Sequence, residues 1–113
     1  MTDRDYRDYI NDILESINDI ESFIKGWTFE DFIGDKKTFN AVVRSIEIIG
    51  EASTNIPQEI CDKAPDIPWA KMKGMRNRLA HEYFGTDSDV LWKTASKAIP
   101  RLKSEIENLL RII

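Results

Sequence analysis

Cysteine and histidine are nearly absent from this 113-residue chain, which holds one of each, Cys61 and His81. A single cysteine cannot form an internal disulfide, and a lone thiol fits the reducing cytoplasm, the location expected here. One histidine and one cysteine exclude most metal sites, which need several nitrogen or sulfur ligands. We therefore expect no metal and no cofactor. The five glycines are scattered, so there is no glycine-rich phosphate loop. No apolar run approaches the roughly 20 residues of a membrane helix. The opening Met1-Thr2-Asp3-Arg4-Asp5 lacks the apolar stretch of a secretory signal. No cationic excess exists either: 20 acidic residues against 16 basic leave a net charge of −4. That balance argues against a basic DNA-binding domain, and DNA is not an expected partner. Linkers, low-complexity tracts and internal repeats are all missing, so residues 1–113 read as one domain.

What remains is a soluble globular composition, 42% hydrophobic and 32% charged. The charge is unevenly spread. Residues 1–35 hold 10 acidic and 3 basic residues, whereas residues 36–83 hold 6 acidic and 8 basic. The cations are densest at Lys71, Lys73, Arg76 and Arg78, with His81 just beyond. Such a cluster is either a solvated helix face or a phosphate-binding patch.

Helical periodicity dominates. Tyr6, Ile10, Ile13, Ile17, Ile20 and Ile24 alternate spacings of four and three, one stripe of a long amphipathic helix. Thr2 is the expected cap at its start, and Gly26 its end. A short turn from Thr28 through Phe29 and Phe32 to Gly34 should follow. A second long helix starts near Asp35, carries Phe39, Val42, Val43, Ile46, Ile49 and Ile56 on one face, and closes at Pro57. Residues 58–63 make a short helix. Another runs from Pro68 to about Phe84 and ends at Gly85. Thr86, Asp87 and Ser88 offer caps for the last helix, with Leu91, Ala95, Ala98, Leu102, Ile106, Leu109 and Ile113 as its stripe. Pro100 falls inside that helix and predicts a kink rather than a break. Nothing alternates with period two. The fold class is therefore all-α, an up-and-down bundle of four main helices with short extra helices.

Ala41, Gly50, Ala52 and Ser53 would let the second long helix approach a neighbour closely. Glu47 and Glu51, four apart, repel mildly unless a base such as Arg76 relieves them; otherwise both face water. Asp8 and Asp12 read as surface. Cys61 follows a helix start, which could lower its pKa, although a buried idle thiol is the commoner arrangement.

The chemistry concentrates in Met75-Arg76-Asn77-Arg78-Leu79-Ala80-His81-Glu82-Tyr83-Phe84. Arg76, His81 and Tyr83 match the Arg-x4-His-x-Tyr signature of HEPN-domain ribonucleases. The stretches Arg44-Ser45-Ile46-Glu47-Ile48-Ile49-Gly50-Glu51-Ala52, Ile67-Pro68-Trp69 and Gly74-Met75-Arg76-Asn77 resemble the HepT toxins. The likeness spans most of the chain and departs at no motif position. It implies a small all-helical HEPN-like homodimer, encoded beside a minimal nucleotidyltransferase antitoxin. It also implies RNA cleavage without metal, silenced when the antitoxin adds AMP to the motif tyrosine, here Tyr83.

The residues themselves agree with that chemistry. At about 100° per residue, Arg76 and Tyr83 project within roughly 20° of each other, but Arg76 and His81 diverge by about 140°. Two such helices across a two-fold axis would offer two arginines and two histidines to one cleft. Attack of a ribose 2′-OH on its phosphate needs a base and an acid, which paired histidines supply. Arg76 suits the phosphate and the charge of the transition state. Asn77 would orient His81 or the phosphate, while Lys71, Lys73 and Arg78 would track the RNA backbone. The rival reading is a non-catalytic helical partner, or nucleotide-binding subunit, of the nucleotidyltransferase.

Overall fold

A computed structural model describes residues 4–75, 77 and 87–113. Every regular element among them is helical. The first, α1 (Tyr6–Ile24), begins at Asp5, whose carboxylate accepts from the Arg7 and Asp8 amides. The Asp8 carboxylate answers by accepting from the Asp5 amide at 3.1 Å. This reciprocal cap replaces Thr2 as the helix start; it satisfies amides that the first turn leaves open and adds negative charge at the positive end of the dipole. Asp8 is thus a capping residue, and Asp12 pairs with Arg4 at 2.7 Å. The predicted stripe is the buried one: Ile10, Ile13, Ile17 and Ile20 are wholly enclosed, Ile24 nearly so. Each contributes roughly 1.5–3 kcal/mol of hydrophobic burial. The chain leaves α1 through Gly26 at φ 76°, left-handed backbone that glycine adopts without strain.

The short helix α2 (Phe29–Ile33) forms as its sequence suggests. Thr28 and Asp31 make a capping box, and Gly34 closes the turn. Phe32 inserts fully into the core, tilted against Phe39 and Trp92 with ring centroids 5.2 and 5.3 Å away. Asp35 then caps α3 (Lys36–Ser53) by accepting from the Thr38 amide. This helix stops at Ser53 rather than running to Pro57. The Thr54 hydroxyl and the Asn55 side-chain amide both turn back to the Glu51 carbonyl, at 2.6 and 3.0 Å. They take up an acceptor of the last turn, and Ile56 is buried from the loop instead. Gly50, Ala52 and Ser53 are buried as expected of small contact residues, and the Ser53 hydroxyl is satisfied by the Ile49 carbonyl at 2.7 Å.

Pro57 is the cap residue of α4 (Gln58–Cys61), shorter than the expected 58–63. After Pro65, a fifth helix, α5, follows Pro68 and is helical over 69–75 and at 77. Its expected end at Phe84 and Gly85 lies outside the described residues. Asp87 caps α6 (Ser88–Lys93), which passes through a π-turn (Thr94–Ala98) into α7 (Ile99–Ile112).

That π-turn corrects the last stripe. Ile99 donates its amide to Thr94, five residues back. The causes are local: Pro100 supplies no amide to the Ser96 carbonyl, while the Thr94 and Ser96 hydroxyls feed the carbonyls of Val90 and Trp92 at 2.9 and 2.6 Å. A π-turn is one residue inserted into an α-helix. The apolar face therefore runs Leu91, Ala95, Ile99, Leu102, Ile106, Leu109; Ala98 is exposed and Ile99 is buried. The helix carries Pro100 without breaking. α1 lies at the centre of the packing, against α3 and α7, while α2 contacts α3 and α6. Lys103 of α7 meets Glu21 of α1 at 3.3 Å. Among the described residues, one continuous apolar cluster joins α1 to α7.

Candidate functional site

The root of α5 is firmly held. Trp69 donates its indole N–H to the Ala64 carbonyl at 3.0 Å, and Met72 donates its amide to Pro68 at 3.0 Å. Ile67, Trp69 and Met72 are all buried. This face anchors the helix, so the side chains between the anchors project away from the core. Lys71 and Asn77 are exposed, and Lys73 is half-buried. Lys73 and Asn77, four apart, share a helix side.

Lys71, Lys73 and Asn77 are thus the predicted site residues that the structure places. Arg76, Arg78, His81 and Tyr83 lie outside the described residues. Lys73 has a second role beyond the one expected of it. Its charge acts on Cys61, the last residue of α4, favouring the thiolate. Burial outweighs it and pushes the Cys61 thiol above its ordinary value, with Asp62 adding to the rise. Cys61 is enclosed, and its sulfur lies 3.9 Å from the Ile56 carbonyl oxygen. It is a packed, protonated thiol, and the helix-start effect that could have activated it is absent because it ends α4.

Two further features bear on the site. Gly74 lies on α5 two positions before Arg76, and a Cβ built there would meet nothing within 4 Å. Its own helix gains nothing from a glycine, which costs about 1 kcal/mol relative to alanine. Glu47 pairs with Arg44 at 3.7 Å on the α3 surface, an exposed contact worth little. Among the described residues, no group of three or more His, Cys, Asp or Glu side chains is placed to hold a metal ion.

Comparison with known proteins decides the affiliation. The profile of a family described as ribonuclease HepT-like matches residues 13–109. The chain belongs to the HepT-like ribonuclease family. Within it, a Thermococcus cleftensis protein named "Probable ribonuclease HepT" is 52% identical over 94% of this chain and 96% of its own. Two Methanocaldococcus jannaschii proteins with provisional RNase names are 44% and 43% identical, over 95% and 100% of this chain and 98% and 93% of theirs. No solved structure matches. The HepT-like match covers all of α3 and α7 as far as Leu109, so it includes the segment with Arg76, His81 and Tyr83 between them. No helix among the described residues is long and apolar enough to cross a membrane.

A cavity of about 270 Å³ opens elsewhere, between the end of α1 and the π-turn. Glu21, Trp27, Trp92 and Pro100 are among its walls. Periodicity gave no warning of it, because its residues come from α1 and the loop after it on one side and from α6, the π-turn and α7 on the other.

Proposed function

We propose that this chain is a metal-independent endoribonuclease that acts as a toxin, a cytoplasmic homodimer with RNA as its substrate. Arg76 and His81 are its catalytic residues. The reading is supported chiefly by the Arg76-x4-His81-x-Tyr83 signature standing inside a chain of the HepT-like ribonuclease family. The names of its relatives, which are those of ribonucleases, point the same way.

In this mechanism one His81 takes the proton of a ribose 2′-OH, and the 2′-oxygen attacks the adjacent phosphorus. The bond from phosphorus to the 5′-oxygen breaks, and the partner's His81 gives the leaving oxygen its proton. The product is a 2′,3′-cyclic phosphate and a 5′-hydroxyl. Arg76 holds the phosphate and meets the charge that grows in the transition state. Asn77, exposed on the same helix, orients His81 or the phosphate. Lys71, Lys73 and Arg78 guide the backbone, and Lys73 does so from a half-buried position.

Tyr83 is the control point. Its partner is a cognate nucleotidyltransferase antitoxin: the Tyr83 oxygen attacks the α-phosphorus of ATP, loses its proton, and pyrophosphate leaves, so that AMP stays on the tyrosine. The new phosphate pairs with Arg76 and occupies the place of the RNA phosphate, so inhibition comes by occlusion, not unfolding. The test uses RNA with chelator present, product ends read by mass spectrometry, and the adduct mapped after incubation with the nucleotidyltransferase, ATP and magnesium. Cyclic phosphate ends and a Tyr83 adduct that stops cleavage are expected. A strict need for added divalent metal, or an adduct elsewhere, overturns the corresponding step.

A further inference from the structure

The π-turn aligns more than the apolar face. Lys93, Lys97 and Arg101 stand on the opposite side of α6 and α7, and all three are exposed. On a regular α-helix, residues eight apart diverge by about 80°. With one residue absorbed by the π-turn, Lys93 and Arg101 diverge by only about 20°. The three cations thus form one line, each about one helical turn from the next. Among the described residues none of them has a carboxylate partner, and this includes Asp89, four residues before Lys93. Further along α7, Arg111 lies about 80° off this line and donates to the Asn108 side-chain oxygen at 2.7 Å.

The cavity runs beside this line. Trp92, Ser96 and Pro100 are among its walls, and each directly precedes one of the three cations in sequence. Cations and cavity are therefore parallel neighbours on one helix. Trp27 and Lys25 close the far side, and Glu21 contributes a carboxylate whose charge Lys103 already meets. Trp92 is braced by Phe32 behind it. A row of free cations beside an aromatic-walled recess is what single-stranded nucleic acid requires: charge for the phosphates, a ring face for an unstacked base.

We propose that the α6–α7 face is a binding track for single-stranded RNA, with phosphates on Lys93, Lys97 and Arg101 and one base in the Trp27–Trp92 cavity. The track rests on the ribonuclease reading only for its choice of RNA. It begins ten residues after Tyr83 in sequence and serves to hold substrate, not to cleave it.

The experiment separates binding from cleavage. A short labelled 2′-O-methyl single-stranded RNA has no 2′-OH to attack, so its affinity is measured whether or not the protein is a nuclease. The variant Lys93→Gln/Lys97→Gln/Arg101→Gln should keep its helicity and melting, since all three residues are exposed. Its slope of log affinity against log salt should fall by about two. Between 50 and 200 mM salt the wild type should then lose roughly twentyfold more affinity than the variant. Trp27→Ala should weaken binding about tenfold and leave the slope alone. An unchanged slope in the triple variant overturns the track, including the case where the face instead docks an acidic protein. Duplex RNA bound as tightly as the single strand, with Trp27→Ala silent, overturns the base cavity. Loss of cleavage in the Arg76 or His81 variants reports on the catalytic reading alone.

Discussion

Replacing Ile99 by alanine tests the register that the π-turn imposes. In an uninterrupted heptad pattern, Ala98 would face the core and Ile99 would sit at its margin. In the structure Ile99 is 1% exposed and Ala98 lies on the surface. Ile99→Ala removes three buried carbons from a site between α1 and α7 and leaves a cavity that the packed isoleucines of α1 can only partly fill. Such truncations cost about 2–5 kcal/mol. For a chain of this size that lowers the melting temperature by about 8–20 °C, at about 4 °C per kcal/mol. The matched control is Ala98→Glu, which puts a charged helix former on an exposed position and should stay within about 0.5 kcal/mol. Both are read by thermal and urea melting followed at the helical circular dichroism band. If Ala98→Glu proves as damaging as Ile99→Ala, the helix winds regularly through Pro100. The alignment of Lys93, Lys97 and Arg101 then fails with it.

Other outcomes follow from the same geometry. Gly74→Ala should stabilise the folded chain by about 0.5–1 kcal/mol, because a methyl there meets open space; if RNA or a second copy closes over α5, cleavage should fall while melting rises. Asp5→Ala should cost about 1 kcal/mol in urea unfolding through loss of the α1 cap, whereas Thr2→Ala should be neutral. Burial raises the Cys61 pKa in the folded state, so the protonated thiol favours folding. That stability is fully present below the unfolded thiol's pKa near 8.5 and is lost as pH rises from there through the folded value. Cys61→Ala should flatten this alkaline slope in melting measurements, and the wild-type thiol should react slowly with a disulfide reagent until the protein unfolds.

Periodicity carried the reading wherever a helix was regular. The α1 isoleucines and the Thr28–Gly34 unit were legible because spacing and capping chemistry are local properties. The reading slipped where two local preferences compete. Asp5 caps α1 in place of Thr2, held by the answering carboxylate of Asp8. α3 ends early because Thr54 and Asn55 take over a carbonyl that a longer helix would use. At Pro100 the sequence predicted a kink rather than a break, and the helix does continue; a proline together with two back-bonding hydroxyls favours an inserted residue, which puts Ile99 in the core in place of Ala98 while Leu102, Ile106 and Leu109 stay on the predicted stripe. The cavity was invisible because its walls come from elements far apart in sequence, Glu21 and Trp27 on one side and Trp92 and Pro100 on the other. Lys73 shows a further limit: its charge was plain in the sequence, its position beside Cys61 was not. The motif was legible through its resemblance to the HEPN signature, and the chain's membership of the HepT-like ribonuclease family agrees with that resemblance.

The central claim is that Arg76 and His81 cleave RNA. Its most direct test compares the wild type with Arg76→Ala and His81→Ala on one single-stranded RNA, in chelator, with melting curves recorded on the same samples. The account predicts cleavage by the wild type and its loss in both variants, with melting temperatures nearly unchanged. Cleavage that persists in folded His81→Ala would contradict it, and so would a wild type that leaves the RNA intact.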